Sequence, residues 1–229
     1  MSLLRTLTRI PRSVARELMT GNTARAQYES AGQSATHRAQ VDGYPRNHDD
    51  DTVQSVRRHH LETLLREVRE ARNLLDVGCG TGMYLEQMAQ RFADVQLFGV
   101  DISQPTLQNY TAKAVPTASL ALCDVAHEVP FAGTQFDLIY SIAVLQHVHP
   151  IRLQGFVNNL YQAAGPGARV ILTFPPGRDW QEQWAMRGFY RYTPARIHQA
   201  LARAGFRQVS VEPMDPANPG LGYVARAMR

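Results

Sequence analysis

The run LLDVGCGTG, Leu74 to Gly82, decides how the rest of this chain is read. An apolar, strand-like segment ends in an acid and passes directly into Gly78, Gly80 and Gly82. Glycines so placed let backbone come very close to a ligand. Two common nucleotide patterns fail on spacing. The dinucleotide pattern G-x-G-x-x-G, counted from Gly78, needs glycine where the chain has Met83. The phosphate loop G-x-x-x-x-G-K-[ST] meets Met83 counted from Gly78 and Leu85 counted from Gly80. What stands here is D-x-G-x-G-x-G. An acid at the strand end, Asp76, would repel a pyrophosphate and suits a ligand that presents an ammonium group.

Outward from this run the pattern is regular. Strand-like segments recur at NLLDV, VQLFGVD, SLALCD, FDLIYSI and ARVILTF, with helical stretches near 83–92, 104–113 and 151–164 between them. Such alternation predicts a mostly parallel sheet covered by helices on both faces. Near the C-terminus a helix over 194–204 leads through Gly205 to RQVSVEP, a DPANPG loop and GYVARAM, which predicts an antiparallel strand pair. Upstream, Val56, Leu61, Leu64, Leu65 and Val68 predict a helix from about Asp51 to Arg72.

Taken together, these segments resemble the class I S-adenosylmethionine (SAM)-dependent methyltransferases, from about Asn73 to the C-terminus. LLDVGCGTG is similar to that family's first motif, and LFGVDIS resembles its second-strand motif. LCDVAHEVPF resembles the segment after the third strand, and FDLIYSIAVLQHV resembles the fourth-strand motif that backs the methionine portion of the cofactor. LYQAAGPGARVILTF and RYTPARIHQALARAGF follow in the family's order. The resemblance implies an α/β, Rossmann-like fold with a seven-stranded, mostly parallel sheet, an antiparallel C-terminal strand and helices on both faces. It also implies SAM as cofactor. Asp76, Gly78, Cys79, Gly80 and Gly82 would then hold its amino-acid end, Asp101 its ribose hydroxyls, and Ile102, Asp124 and Val125 its adenine, with Ser141 on the fourth strand. The residue chemistry agrees: one carboxylate serves two vicinal hydroxyls well, and Asp101 lies at a strand end, where open α/β sheets place ligands. Each acid alone is equally a helix cap or turn former.

Methyl transfer is an in-line displacement, for which alignment alone supplies about 7–11 kcal/mol. A nucleophile that must lose a proton also needs a base, and His147 in LQHVHP, just past the fourth strand, is the candidate. His149 is the alternative, although Pro150 beside it suggests a turn. The competing reading of His147 is a loop histidine that only packs near the cofactor. The segment 174–193 concentrates Trp180, Trp184, Phe189, Tyr190 and Tyr192, either walls of an acceptor pocket or a small satellite core. Tyr28 and Tyr44, with His37 between them, are candidates to close over cofactor or acceptor. FPP at 174–176 follows the fifth strand, whereas the amino-methylating nucleic-acid enzymes carry a proline motif after the fourth, where this chain has YSIA. Ser141 is not the acid of the metal-dependent catechol-type enzymes.

Composition narrows the class further. The 229 residues include 44% apolar and 19% charged side chains, the balance of an ordinary globular protein. Cys79 and Cys123 suggest no disulfide framework, so a reducing, cytoplasmic setting is expected. Lys113 is the single lysine. Residues 1–25 carry Arg5, Arg9, Arg12, Arg16 and Arg25 against Glu17, which accounts for the whole net charge of +4. The body of the chain is formally neutral, so no nucleic-acid face is expected. Leu3, Leu7, Ile10, Val14 and Leu18 mark a basic amphipathic helix interrupted by Pro11. A packing helix, an organellar presequence and a membrane-surface anchor all fit it. His48 beside Asp49, Asp50 and Asp51 reads as an acidic helix start rather than a metal site.

The expected organisation is therefore a helical extension or lid over 1–50 and a SAM-binding domain over 51–229, monomeric or homodimeric. The expected activity is methylation of an oxygen or nitrogen of a small-molecule acceptor. A lipid-linked or macromolecular acceptor, and a non-catalytic binding protein on the same fold, stand as alternatives. A nicotinamide-dependent oxidoreductase fits less well, because the glycine spacing and the terminal strand pair are wrong for it.

Overall fold

The computed structural model describes residues 51–177 and 190–229. Tyr28, His37, Tyr44, the basic segment 3–18, and Trp180, Trp184 and Phe189 lie outside those residues. The first element is helix α1 (Asp51–Glu67), continued by a 3-10 turn at Val68–Glu70. Its buried Leu64 and Val68 recur at helical spacing and face the sheet.

Strand β1 (Asn73–Val77) is buried from Leu74 onward, as befits a strand covered on both faces. Then come α2 (Met83–Arg91), β2 (Gln96–Asp101), β3 (Ser119–Leu122), β4 (Phe136–Ile142), α3 (Leu153–Ala163) and β5 (Ala164–Phe174). The chain closes with α4 (Pro194–Ala204), β6 (Arg207–Pro213) and β7 (Tyr223–Met228). The seven strands form one sheet in the order β3-β2-β1-β4-β5-β7-β6. Strands β1 to β5 pair in parallel, and β7 runs antiparallel between β5 and β6.

The period-2 alternation of each strand divides the core in two. Leu75, Val77, Ile139, Val170 and Leu172 point to one face, where α3 and α4 supply Phe156, Val157, Leu160, Ile197 and Leu201. Leu74, Leu138, Tyr140 and Ile171 point to the other, where α1 and α2 supply Leu64, Val68, Leu85 and Met88. Helix α4 has the caps its sequence announces. The Thr193 hydroxyl accepts the Arg196 N–H at its start, Pro194 occupies the first turn, and Gly205 ends it in the left-handed region.

Two elements depart from their sequence pattern. The stretch 104–114 is a helical segment in three pieces, with a π turn at Leu107–Thr111 between short α-helical ends. A π turn accommodates one extra residue and displaces the side chains after it, which helical periodicity does not report. Strand β5 starts at Ala164, before Gly165-Pro166-Gly167, rather than at Ala168. Its partner β4 steps only from Phe136 to Leu138 while β5 moves from Ala164 to Arg169, so the glycine-proline turn is absorbed as a bulge inside the strand.

The parallel strands deliver their C-terminal ends to one edge. Asp76 lies opposite Tyr140 across the β1–β4 ladder, and Asp101 lies opposite Leu122 across β2–β3. From β1 the chain proceeds outward to β2 and β3, then returns to the other side at β4. That reversal opens the crevice where sheets of this kind hold ligands.

Candidate functional site

The site is built around the loop that leaves β1. Gly78, Gly80 and Gly82 all have positive φ, of +75, +54 and +83 degrees. The N–H groups of Gly78 and Cys79 both donate to the Val100 carbonyl, at 2.7 and 3.0 Å, which seats the loop on β2. Gly82 donates to the Cys79 carbonyl and is the N-cap of α2, with no side chain capping that helix end. Thr111, from the π turn, donates its hydroxyl proton to the Gly80 carbonyl at 2.5 Å. Nothing in the sequence pattern marked Thr111, because the π turn that aims it is invisible to helical spacing.

The three strand-end acids do different things. Asp101 accepts the Gly80 N–H through Oδ2 and the Ser103 N–H through Oδ1, both at 2.9 Å. It is thus a turn former that also ties the glycine loop to β2. Asp124 repeats the local turn, accepting the Ala126 N–H at 3.1 Å, and takes His127 Nδ1–H on Oδ2 at 2.6 Å. For these two, turn formation and ligand binding are compatible, since the turn fixes where the carboxylate points.

Asp76 makes no such turn. It is 2% exposed, and its Oδ2 has no hydrogen-bonding partner. Burial pushes its carboxyl well above the usual carboxylate range, the nearby Tyr140 hydroxyl opposes the shift, and the Asp101 charge adds to it. A buried carboxyl oxygen without a donor is costly unless something satisfies it. The ammonium of an amino-acid ligand would, so the residues present fit the amino-acid end of SAM.

The remaining expected cofactor residues fall around this frame. Ile102 is half-buried just after Asp101. Val125 is buried, and its carbonyl accepts the Asn159 side-chain amide from α3 at 2.8 Å. Ser141 is fully buried and donates to the Val77 carbonyl at 3.0 Å, where it ties β4 to β1. The Cys79 side chain is buried over Gly99, where an added Cβ would lie 3.0 Å from Sγ. Burial pushes the Cys79 thiol far up, and that of Cys123 up to about 12, so neither is a nucleophile.

Beyond β4 the chain turns sharply. Ala143 adopts a left-handed conformation, φ +56 degrees, and its N–H donates to the Thr173 hydroxyl of β5 at 3.1 Å. Val144 follows, then a 3-10 turn at Leu145–His147. A non-glycine residue in this region stores strain, which is a recurrent feature of ligand sites. His147 is half-buried at the end of that turn, whereas His149 is buried, accepts the Ile151 N–H on Nδ1 and meets Tyr190 edge-on at 4.9 Å. The described aromatics of the 174–193 stretch brace this loop from behind. The Tyr190 N–H donates to the Gln146 carbonyl, and the Tyr192 hydroxyl donates to that of Val148. Both rings are buried, so Tyr190 and Tyr192 are core supports of the loop rather than walls of an open pocket. Among the described residues no cluster of acids, histidines and cysteines could hold a metal ion.

Residues 74–167 match the methyltransferase domain family. Trans-aconitate 2-methyltransferase of Afipia carboxidovorans is 32% identical over 145 residues, covering 62% of this chain and 55% of that protein. Ubiquinone biosynthesis O-methyltransferase of Azorhizobium caulinodans is 26% identical over 174 residues, 67% of each chain. In fold, N-methyltransferase NodS of Bradyrhizobium japonicum, solved with S-adenosylhomocysteine, superposes with a TM-score of 0.66 at 16% identity, over 91% of this chain and 99% of that one. The chain spans about half the length of the first curated relatives it matches. Residues 74–167 are thus similar to a methyltransferase domain, and the chain shares its fold with NodS.

Proposed function

We propose that this chain transfers a methyl group from SAM to an oxygen or nitrogen atom of a small-molecule acceptor. The observation that carries this is the buried Asp76 carboxyl, whose Oδ2 makes no well-formed hydrogen bond, beside a glycine loop that Asp101 and Thr111 hold in place. A nicotinamide dinucleotide offers a pyrophosphate at this point, which gives the buried Asp76 carboxyl no cation to pair with; SAM offers an ammonium. The curated relatives support a small acceptor, since their names specify trans-aconitate and ubiquinone biosynthesis.

When bound, SAM supplies an electrophilic methyl on a sulfonium. The chain's own residues align it. Asp76 and the glycine loop take the amino-acid end, Asp101 takes the ribose hydroxyls, and Ile102, Asp124 and Val125 flank the adenine. His147, at the rim of the braced loop after β4, accepts the acceptor's proton where one must leave. The buried free thiols Cys79 and Cys123 suit a reducing compartment, and we place the protein in the cytoplasm.

The test is thermal shift with SAM, S-adenosylhomocysteine and NAD. SAM and its demethylated product raise the melting temperature, and Asp101→Ala weakens their binding at least tenfold. Stabilisation by NAD alone overturns the reading. Incubating the protein with methyl-labelled SAM and cell extract, then identifying the labelled product by mass, finds the acceptor.

A further inference from the structure

Tyr140 has no part in the cofactor contacts described above, yet it is the side chain placed directly across the β1–β4 ladder from Asp76. The two stand at the reversal of strand order, on the same face of the sheet. Tyr140 is completely buried, and its hydroxyl interacts with the Asp76 carboxyl, although neither that hydroxyl nor Asp76 Oδ2 makes a well-formed hydrogen bond. An acid and a phenol paired only loosely with each other in a dry core carry a desolvation cost. The titratable groups around them are Asp101 on β2, the Cys79 thiol in the glycine loop and Tyr84 on α2. Behind Tyr84 stands His60 of α1, whose Nδ1 lies 3.1 Å from the Tyr84 hydroxyl. Asp101 is an acid, Cys79 and Tyr84 are acids when they ionise at all, and His60 is held neutral by burial. Of the groups named here, none supplies a positive charge to Asp76.

We propose that capture of the cofactor's ammonium by Asp76 is a proton-exchange event, and that Tyr140 is the positioning residue that sets the pH at which it occurs. The inference rests on the cofactor reading above. In the free protein the Asp76 carboxyl carries its proton, because a lone carboxylate would be buried without a counter-charge. When the ligand's ammonium arrives, the carboxyl ionises, its proton leaves to solvent, and an ion pair supported by Tyr140 replaces the loosely paired acid. Tyr140 can donate to a carboxylate but gains less from a protonated acid, so it favours the ionised form and eases proton loss. Affinity for SAM therefore falls as pH drops below the free-state titration of Asp76, by up to tenfold per pH unit.

Isothermal titration of the full chain with S-adenosylhomocysteine, in buffers of different ionisation enthalpy between pH 5 and 9, tests this. Binding releases protons in the wild type, and Asp76→Asn abolishes the release. Tyr140→Phe keeps the ring but removes the donor, and moves the midpoint of the affinity–pH curve upward by at least half a pH unit. Ionisation of the ligand's own amino group has the opposite sign, since binding it as a cation takes protons up. Tight binding with a buffer-independent enthalpy across the range overturns the proton exchange and leaves the cofactor reading standing. A Tyr140→Phe midpoint equal to the wild type's removes Tyr140 from it. No binding by the folded wild type overturns the cofactor reading and this inference together.

Discussion

Val144 stands over Gly78: a Cβ added at Gly78 would lie 2.3 Å from Val144 Cγ2. The strained turn after β4 and the glycine loop after β1 are therefore packed against each other, which couples the glycine loop to the loop that bears His147. Gly78→Ala must displace Val144 and also hold an L-residue at positive φ, which costs about 1–2 kcal/mol on its own. We expect lower thermal stability and at least tenfold weaker S-adenosylhomocysteine binding. Adding Val144→Ala restores part of the loss, because it removes the clash and leaves the backbone strain. No rescue in a double-mutant cycle would separate the two loops.

Gly80 gives the contrasting case. Its φ is +54 degrees, but an added Cβ meets nothing closer than the Gly78 carbonyl at 4.0 Å. Gly80→Ala then carries only the left-handed penalty, about 1–2 kcal/mol. It should unfold a few degrees below the wild type, and a companion Val144→Ala should not relieve it. Circular dichroism melts of the four variants distinguish the positions.

Much of this arrangement was legible in the sequence, for identifiable reasons. Each strand alternates or runs apolar between clear breaks, so order and type follow from periodicity, and D-x-G-x-G-x-G locates the loop by composition alone. Tyr140 and Thr173 were not legible, since within an apolar strand a tyrosine or threonine reads as core and its cross-strand partner depends on register. Thr111 was hidden by the π turn. Ala143 carried no signal at all, because nothing in its side chain announces a positive φ. Tyr190 and Tyr192 show the converse. An aromatic cluster near a site invites a binding role, yet these two rings are buried, and the Tyr190 N–H and the Tyr192 hydroxyl hold the carbonyls of the 146–148 turn.

Thr111 ties the π turn to the Gly80 carbonyl. Thr111→Val keeps the shape and deletes the donor, at a cost of about 1–3 kcal/mol where an acceptor is left unsatisfied. The glycine loop loosens, so S-adenosylhomocysteine should bind several-fold more weakly, with faster hydrogen exchange at residues 78–82. Thr111→Ser, which restores the hydroxyl, should recover most of the affinity. An affinity equal to the wild type's in Thr111→Val would mean that the bond does not order the loop.

His60 makes stability depend on pH. Burial, and secondarily the His59 charge, lowers its pKa from 6.5 to about 4. The unfolded chain therefore binds a proton between those values that the folded chain refuses, and stability falls as pH drops through this window. The loss attributable to His60 is on the order of 2 kcal/mol by pH 5. His60→Gln removes this component, so the stability difference between pH 7 and pH 5 shrinks by a similar amount in denaturant titrations. An unchanged difference would show that His60 is protonated equally in both states.

His147 and His149 lie two residues apart but in different environments, and their substitutions should separate cleanly. His149 is buried against Tyr190 and accepts a backbone N–H, so His149→Ala is expected to lower stability. His147 is half-buried at the rim, so His147→Ala should leave folding and S-adenosylhomocysteine affinity intact. If it takes the acceptor's proton, kcat falls by about 10²–10⁴-fold. An acceptor that reacts as an already ionised oxygen needs no base and should lose little. Running both kinds of acceptor with His147→Ala and His147→Gln thus divides proton removal from alignment. Equal, small losses on both would leave alignment as the whole of this chain's contribution to the displacement.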